Sequence, residues 1–174
     1  MFDKIIYIRT KRFINKQKIS EKKKKEELKN FEKIINEKNI EKRYLLAHNF
    51  ICDYLDDEFY GKNLCGFKNN ICSRRQDMID KGIIRDTYEN GCCHGYKEGR
   101  DCEKLKDGRC TTRNIACKLF VCPYLRKKGV HFSLNKIPYA RYLFNKRQKL
   151  YIITNHFIDQ EIIVKGLVKR RYGL

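Results

Sequence analysis

The chain has 174 residues and carries 40 Lys+Arg against 21 Asp+Glu, a formal net charge of +19. That length can bury a core of its own, which excludes the small secreted knot that depends on disulfides, and the charge points to an anionic partner such as nucleic acid, anionic lipid or an acidic protein. No apolar run approaches the roughly 20 residues of a membrane helix. Ile5, Ile6 and Ile8 are followed at once by Arg9, Lys11 and Arg12, so no signal-peptide core forms, and a cytoplasmic protein with no membrane association is expected.

The first third, residues 1–60, reads as helical. Ser20 is placed to cap a helix with Glu21 in its first turn, and Leu28, Phe31, Ile34 and Ile35 recur at helical spacing. A second helix is expected from about Asn39 to Asp57, with Leu45, His48, Ile51, Cys52 and Leu55 on one stripe. His48 and Cys52 stand four apart, the spacing of a helical metal pair, but they read better as core residues because cysteine packs as a small hydrophobe. The middle third, residues 61–125, holds most of the glycines and reads as loops and single turns, with one short helix from Ser73 to about Lys81. The last third, residues 126–174, is helical again. Pro138 fits a first helical turn, and Tyr142, Leu143, Lys146, Leu150, Ile153, Phe157 and Ile158 form a stripe. Ile162, Ile163, Leu167 and Val168 extend the apolar content, while His131 and His156 read as ordinary core or surface histidines. Residues 123–174 hold 12 basic and 2 acidic side chains, so this segment carries about half the net charge.

Eight of the nine cysteines fall between Cys65 and Cys122. In a reducing cytosol such clustering favours thiolate ligands over disulfides. No C-x-x-C occurs, which argues against thioredoxin chemistry, zinc knuckles and ferredoxin-type runs. Thiolates delivered from separate loops suit a tetrahedral zinc ion or a [4Fe–4S] cluster, with the cluster slightly favoured. The candidate metal ligands are Cys65, Cys72, Cys92, Cys93, Cys102, Cys110, Cys117 and Cys122, with His94 as the best histidine candidate.

The stretch from Cys102 through Asp107-Gly108-Arg109-Cys110 to Cys117-Lys118-Leu119-Phe120 and Cys122, with Cys92-Cys93 upstream, resembles the zinc- or iron-chelating cysteine-cluster family of YkgJ-like proteins. The resemblance spans residues 91–123. It implies a metal held by Cys92 or Cys93, Cys102, Cys110 and Cys117. A flagellin lysine N-methylase is similar to that family, so the resemblance also keeps a cluster-dependent group-transfer enzyme in view, although no methyl-donor motif is present.

Basic and aromatic residues interleave at Tyr139, Arg141, Tyr142, Phe144, Lys146, Arg147, Lys149 and Tyr151, followed by Lys169-Arg170-Arg171-Tyr172. Aromatic rings stack on bases while Lys and Arg follow phosphates, so a zinc-stabilised nucleic-acid-binding protein is the alternative. The expected architecture is mainly α, with helical N- and C-terminal segments around an irregular cysteine-rich metal-binding region. The expected role is metal binding with redox or electron-transfer chemistry.

Overall fold

The structure, a computed structural model, describes residues 2–68, 72–82, 104–106 and 109–171. Its first helix, α1 (Phe2–Asn15), buries Ile6, Thr10 and Ile14 four residues apart. Ser20 then caps α2 (Glu21–Asn36), its hydroxyl accepting from the Lys23 amide at 3.2 Å. α2 turns Glu27, Phe31 and Ile34 inward against α1, where Tyr7 lies over Phe31 at 6.4 Å and donates its hydroxyl to Glu32 at 2.7 Å. α3 (Ile40–Tyr60) begins where the Asn39 side chain accepts from the Lys42 amide, and it buries Tyr44, Ala47, His48, Ile51, Cys52 and Leu55. Arg43 fixes its start by donating to Asp3 and to the Ile35 and Glu37 carbonyls.

The remaining described elements are short. They are α4 (Ser73–Asp80), the antiparallel pair β1 (Leu105–Lys106) and β2 (Arg109–Cys110), α5 (Ile115–Leu119), α6 (Pro123–Lys127), a single 3-10 turn at Leu134–Lys136, α7 (Pro138–Arg141), α8 (Lys146–Thr154) and α9 (Gln160–Lys169). The strand register sets Leu105 opposite Cys110 and Lys106 opposite Arg109. Two compact units result. One comprises Met1–Tyr54, Arg113–Phe120 and Phe132–Leu174; the other comprises Leu55–Thr112 and Val121–His131.

In the first unit α8 and α9 form an antiparallel hairpin. Asn145 donates to the Arg170 carbonyl, Gln148 to the Leu167 carbonyl at 2.8 Å, and Tyr151 to the Ile162 carbonyl. Gln148 decides which face of α8 goes inward. Its amide oxygen accepts from the Asn145 backbone in a capping box, and its nitrogen donates to the Tyr44 hydroxyl as well as to Leu167. A buried amide with three such bonds stabilises only one rotation of the helix, the one that also buries Ile152.

The mainly α-helical expectation holds. The irregular metal-binding region does not. Among the described residues no three His, Cys, Asp or Glu side chains converge to hold a metal ion. The described part of the middle third is α4, the two-residue strands β1 and β2, α5, the start of α6 and the turns around them. Nor is any helix among the described residues long and apolar enough to cross a membrane.

A Cβ built on Gly166 would meet the Tyr151 ring at 2.3 Å. Gly166→Ala therefore lowers stability by about 1–3 kcal/mol despite alanine's better helix propensity. Urea unfolding reads the loss, and Tyr151→Leu in the same chain recovers most of it.

Candidate functional site

The sequence-derived ligands separate as follows. Cys92, Cys93, Cys102 and His94 lie outside the described residues. Cys117 belongs to the first unit, while Cys65, Cys72, Cys110 and Cys122 belong to the second. Cys65 and Cys72 are drawn near each other because the Ser73 amide donates to the Cys65 carbonyl at 2.9 Å and the Ser73 hydroxyl donates to the Gly66 carbonyl. Burial pushes the Cys65 thiol up to about 11, with Cys72 and then Cys122 adding smaller repulsions. Among the described residues these thiols do not converge with a further His, Cys, Asp or Glu into a ligand set. Desolvation and like neighbours keep Cys65 protonated, the reverse of the electropositive setting that activates a thiolate. With no ligand set among the described residues, the [4Fe–4S] cluster, the zinc ion, the electron-transfer role and the cluster-dependent lysine N-methylase are overturned together. The Cys110 amide donates to the Tyr60 hydroxyl.

The basic and aromatic interleaving also fails as a nucleic-acid surface, because the rings are spent on packing. Tyr139 and Phe144 are buried, Tyr139 against Phe31 and Phe50, and Phe144 against Tyr44. Tyr142 meets Phe13 edge-on with the Arg141 guanidinium over both rings. Tyr151 packs against Gly166, and the Arg170 guanidinium lies 3.8 Å from its ring centre. Lys149 donates to the Asn135 side chain and the Arg141 carbonyl. Among the described residues of that run no ring is left as a stacking platform for bases. With metal and nucleic acid gone, the acidic-protein partner loses its basis as well, since it rested on bulk charge alone.

What the first unit does assemble is a directed chain of polar groups between α3, the start of α5 and the start of α9. Arg113 donates to Asp53 at 2.7 Å, to the Asn49 carbonyl and to Asn49 Oδ1 at 3.0 Å. Guanidinium only donates, so the Asn49 oxygen must face it. That same oxygen accepts from Gln160 Nε2 at 2.8 Å, which orients the Gln160 amide as a donor. Gln160 Nε2 also lies 3.0 Å from His48 Nδ1, so this ring nitrogen is the acceptor and the imidazole proton resides on Nε2. Cys52 Sγ sits 3.8 Å from the same Nδ1. His48 is fully buried, as expected of a core histidine, and its Nε2 has no partner among the described residues. Burial, and then the Arg113 charge, depress its pKa to about 4.

A second polar anchor holds the α8–α9 connection. Asn114 caps α5 by accepting from the Cys117 amide, and its side-chain nitrogen donates to the Asn155 and Ile158 carbonyls at 2.9 Å each. Cys117 Sγ accepts from the Phe157 amide at 3.4 Å. Between these fixed points Phe157 takes φ +61, a left-handed conformation that a bulky residue avoids, and its ring is 68% exposed. Leu150 and Ile153, on the side of α8 opposite Gln148 and Ile152, are 60% and 45% exposed. Lys146, Leu150 and Ile153 follow one another at four- and three-residue steps, so they form one outward ridge running toward Phe157. The sequence stripe was real, but it faces outward.

No family model, curated protein or solved structure matches the chain. The likeness to the cysteine-chelating family is corrected accordingly: neither the family comparison nor the described thiols support it. Sequence reasoning missed Asn49, Arg113, Asn114, Gln160 and the strain at Phe157. Only the Asn145-x-x-Gln148 capping box left a local signal.

Two outcomes follow from these side chains. Iodoacetamide modifies Cys65 at least tenfold more slowly at pH 7.5 than an ordinary thiol, and the rate climbs until about pH 11; mass spectrometry of the labelled peptide checks this. For His48 the unfolded ring, at about 6.5, binds its proton before the folded one does. Stability is therefore complete above pH 6.5 and is lost as pH falls toward 4, by about 3 kcal/mol in all. Urea midpoints across that window read the loss, and His48→Gln removes most of the dependence.

Proposed function

We propose that the protein is a peripheral membrane module that seats the outward ridge of α8 and the Phe157 tip on an anionic bilayer. The observation that carries the reading is Phe157: a large apolar ring held out to solvent in a strained backbone conformation, at the end of a ridge of exposed Leu150 and Ile153. Strain of about 1–3 kcal/mol persists where the surroundings enforce it, and such sites concentrate at functional surfaces. Here Asn114 and Cys117 enforce it.

Charge supplies the choice of partner. Lys146, Arg147, Lys165 and Lys169 are exposed on α8 and α9, while the exposed Asp159 and Glu161 lie at the start of α9 just after Phe157. Single protruding apolar side chains beside lysines and arginines are the composition that enters the headgroup boundary, the apolar part inserting and the bases meeting phosphate. Each basic residue near an anionic leaflet contributes about 1 kcal/mol, so four are worth about a thousandfold in affinity over a neutral surface. This reading departs from the absence of membrane association expected from the sequence, which considered spanning segments; peripheral attachment needs none, and no helix among the described residues is long and apolar enough to cross. A cytoplasmic location fits the reading, because anionic lipid is concentrated on that leaflet and thiols stay reduced there.

Sedimentation with vesicles tests it. The intact protein pellets with phosphatidylserine–phosphatidylcholine vesicles, stays in solution with phosphatidylcholine alone, and is released by 0.5 M salt. Leu150→Glu with Ile153→Glu cuts capture at least tenfold. Phe157→Gly relieves the left-handed strain, so it weakens capture while leaving stability unchanged or raised. Equal capture of the wild type and the double variant would defeat the reading, as would capture by neutral vesicles alone.

A further inference from the structure

The polar chain ending at His48 makes a latch whose state acid can change. Arg113 fixes Asn49 Oδ1, Asn49 Oδ1 fixes the Gln160 amide, and that amide occupies His48 Nδ1 with an N–H. Nε2 already holds the ring's proton. A second proton therefore has one place to go, Nδ1, and it would meet the Gln160 N–H head-on at 3.0 Å. Turning the amide to offer its oxygen instead would set that group's nitrogen apart from the Asn49 oxygen and lose the 2.8 Å bond.

The surroundings give the imidazolium no compensation. On α3, Cys52 Sγ lies 3.8 Å from Nδ1, and Asp53 is engaged with Arg113 at 2.7 Å. The Arg113 charge stands against the ring and disfavours a second cation. From α9, Gln160 is the first helical residue, so the positive end of the helix dipole faces His48. Asp159 and Glu161 beside it are exposed to solvent. From α5 the groups nearby, Asn114 and Cys117, are turned to the Asn155–Ile158 connection.

We infer that protonation of His48 releases the N-terminal end of α9 from α3, so that α9 opens in acid before the rest of its unit unfolds. What opens is an amphipathic segment: Ile163, Val164 and Leu167 are buried in the latched state, with Lys165 and Lys169 on the other side. Acid thus exposes a second apolar face beside the ridge of α8. The latch stands apart from the bilayer reading, since it is measured in solution without vesicles.

Amide hydrogen exchange on the full chain, corrected for the intrinsic pH dependence, tests this. Between pH 7 and pH 4, protection of the α9 amides falls at least tenfold, while that of α2 changes less than twofold. In His48→Gln, α9 protection changes less than twofold over the same range. NMR titration of the His48 ring in the wild type provides the second reading: α9 opening and ring protonation share one midpoint. The inference is overturned if α9 and α2 lose protection together, if α9 stays protected after the ring has titrated, or if the glutamine variant opens as the wild type does.

Discussion

A guanidinium can donate hydrogen bonds but never accept one, and in this protein that asymmetry propagates. Arg113 sits just before α5 and reaches α3, where it meets Asn49 and Asp53. Because it cannot accept, every polar group beyond it has a fixed sense: the Asn49 oxygen, the Gln160 amide, the imidazole tautomer of His48. Three segments far apart in sequence are joined by this one direction of donation. The adjacent Asn114 then fixes the connection between α8 and α9. A buried polar network of this sort contributes little net energy per bond but sets a single arrangement, since any reversed member leaves a buried group unsatisfied.

The exposed ridge follows from the same economy of buried polar groups. α8 offers two faces that could turn inward. One carries Leu150 and Ile153; the other carries Ile152 and Gln148. Burial of apolar area alone favours the first face. Gln148 decides for the second, because its three bonds to Asn145, Tyr44 and Leu167 cannot be replaced elsewhere. The apolar side chains left outside, together with the Phe157 ring, give the first unit its outward apolar face. That exposed apolar face is a consequence of which side of α8 the core rejected.

The cysteines tell a related story about environment. Thiols become ligands or nucleophiles when positive charge or a cation draws off their proton. Around Cys65 the neighbours are two further thiols and low-dielectric packing, and both act in the opposite sense. Cys52 and Cys72 are buried as small hydrophobes are. Spacing along a chain gives no information on these surroundings, which is why the cysteine count led toward metal chemistry.

Local signals were legible and local structure obeyed them. Ser20 caps α2, Asn39 starts α3, α4 begins at Ser73, and Pro138 opens α7, each close to where composition and periodicity placed it. The burial of His48 and Cys52 was also readable, from their stripe on α3. These features depend on residues within one or two turns of one another, and side-chain chemistry at that range is written in the sequence. The orientation of α8, the occupation of the C-terminal aromatic rings by packing, and the chain from Arg113 to His48 depend on partners distant in sequence: Gln148 with Tyr44 and Leu167, Tyr142 with Phe13, Gln160 with His48. Such contacts exist only once the helices have docked. Sequence determined the helices and their caps; tertiary structure decided which apolar stripe is core, which is surface, and which nitrogen of His48 holds its proton.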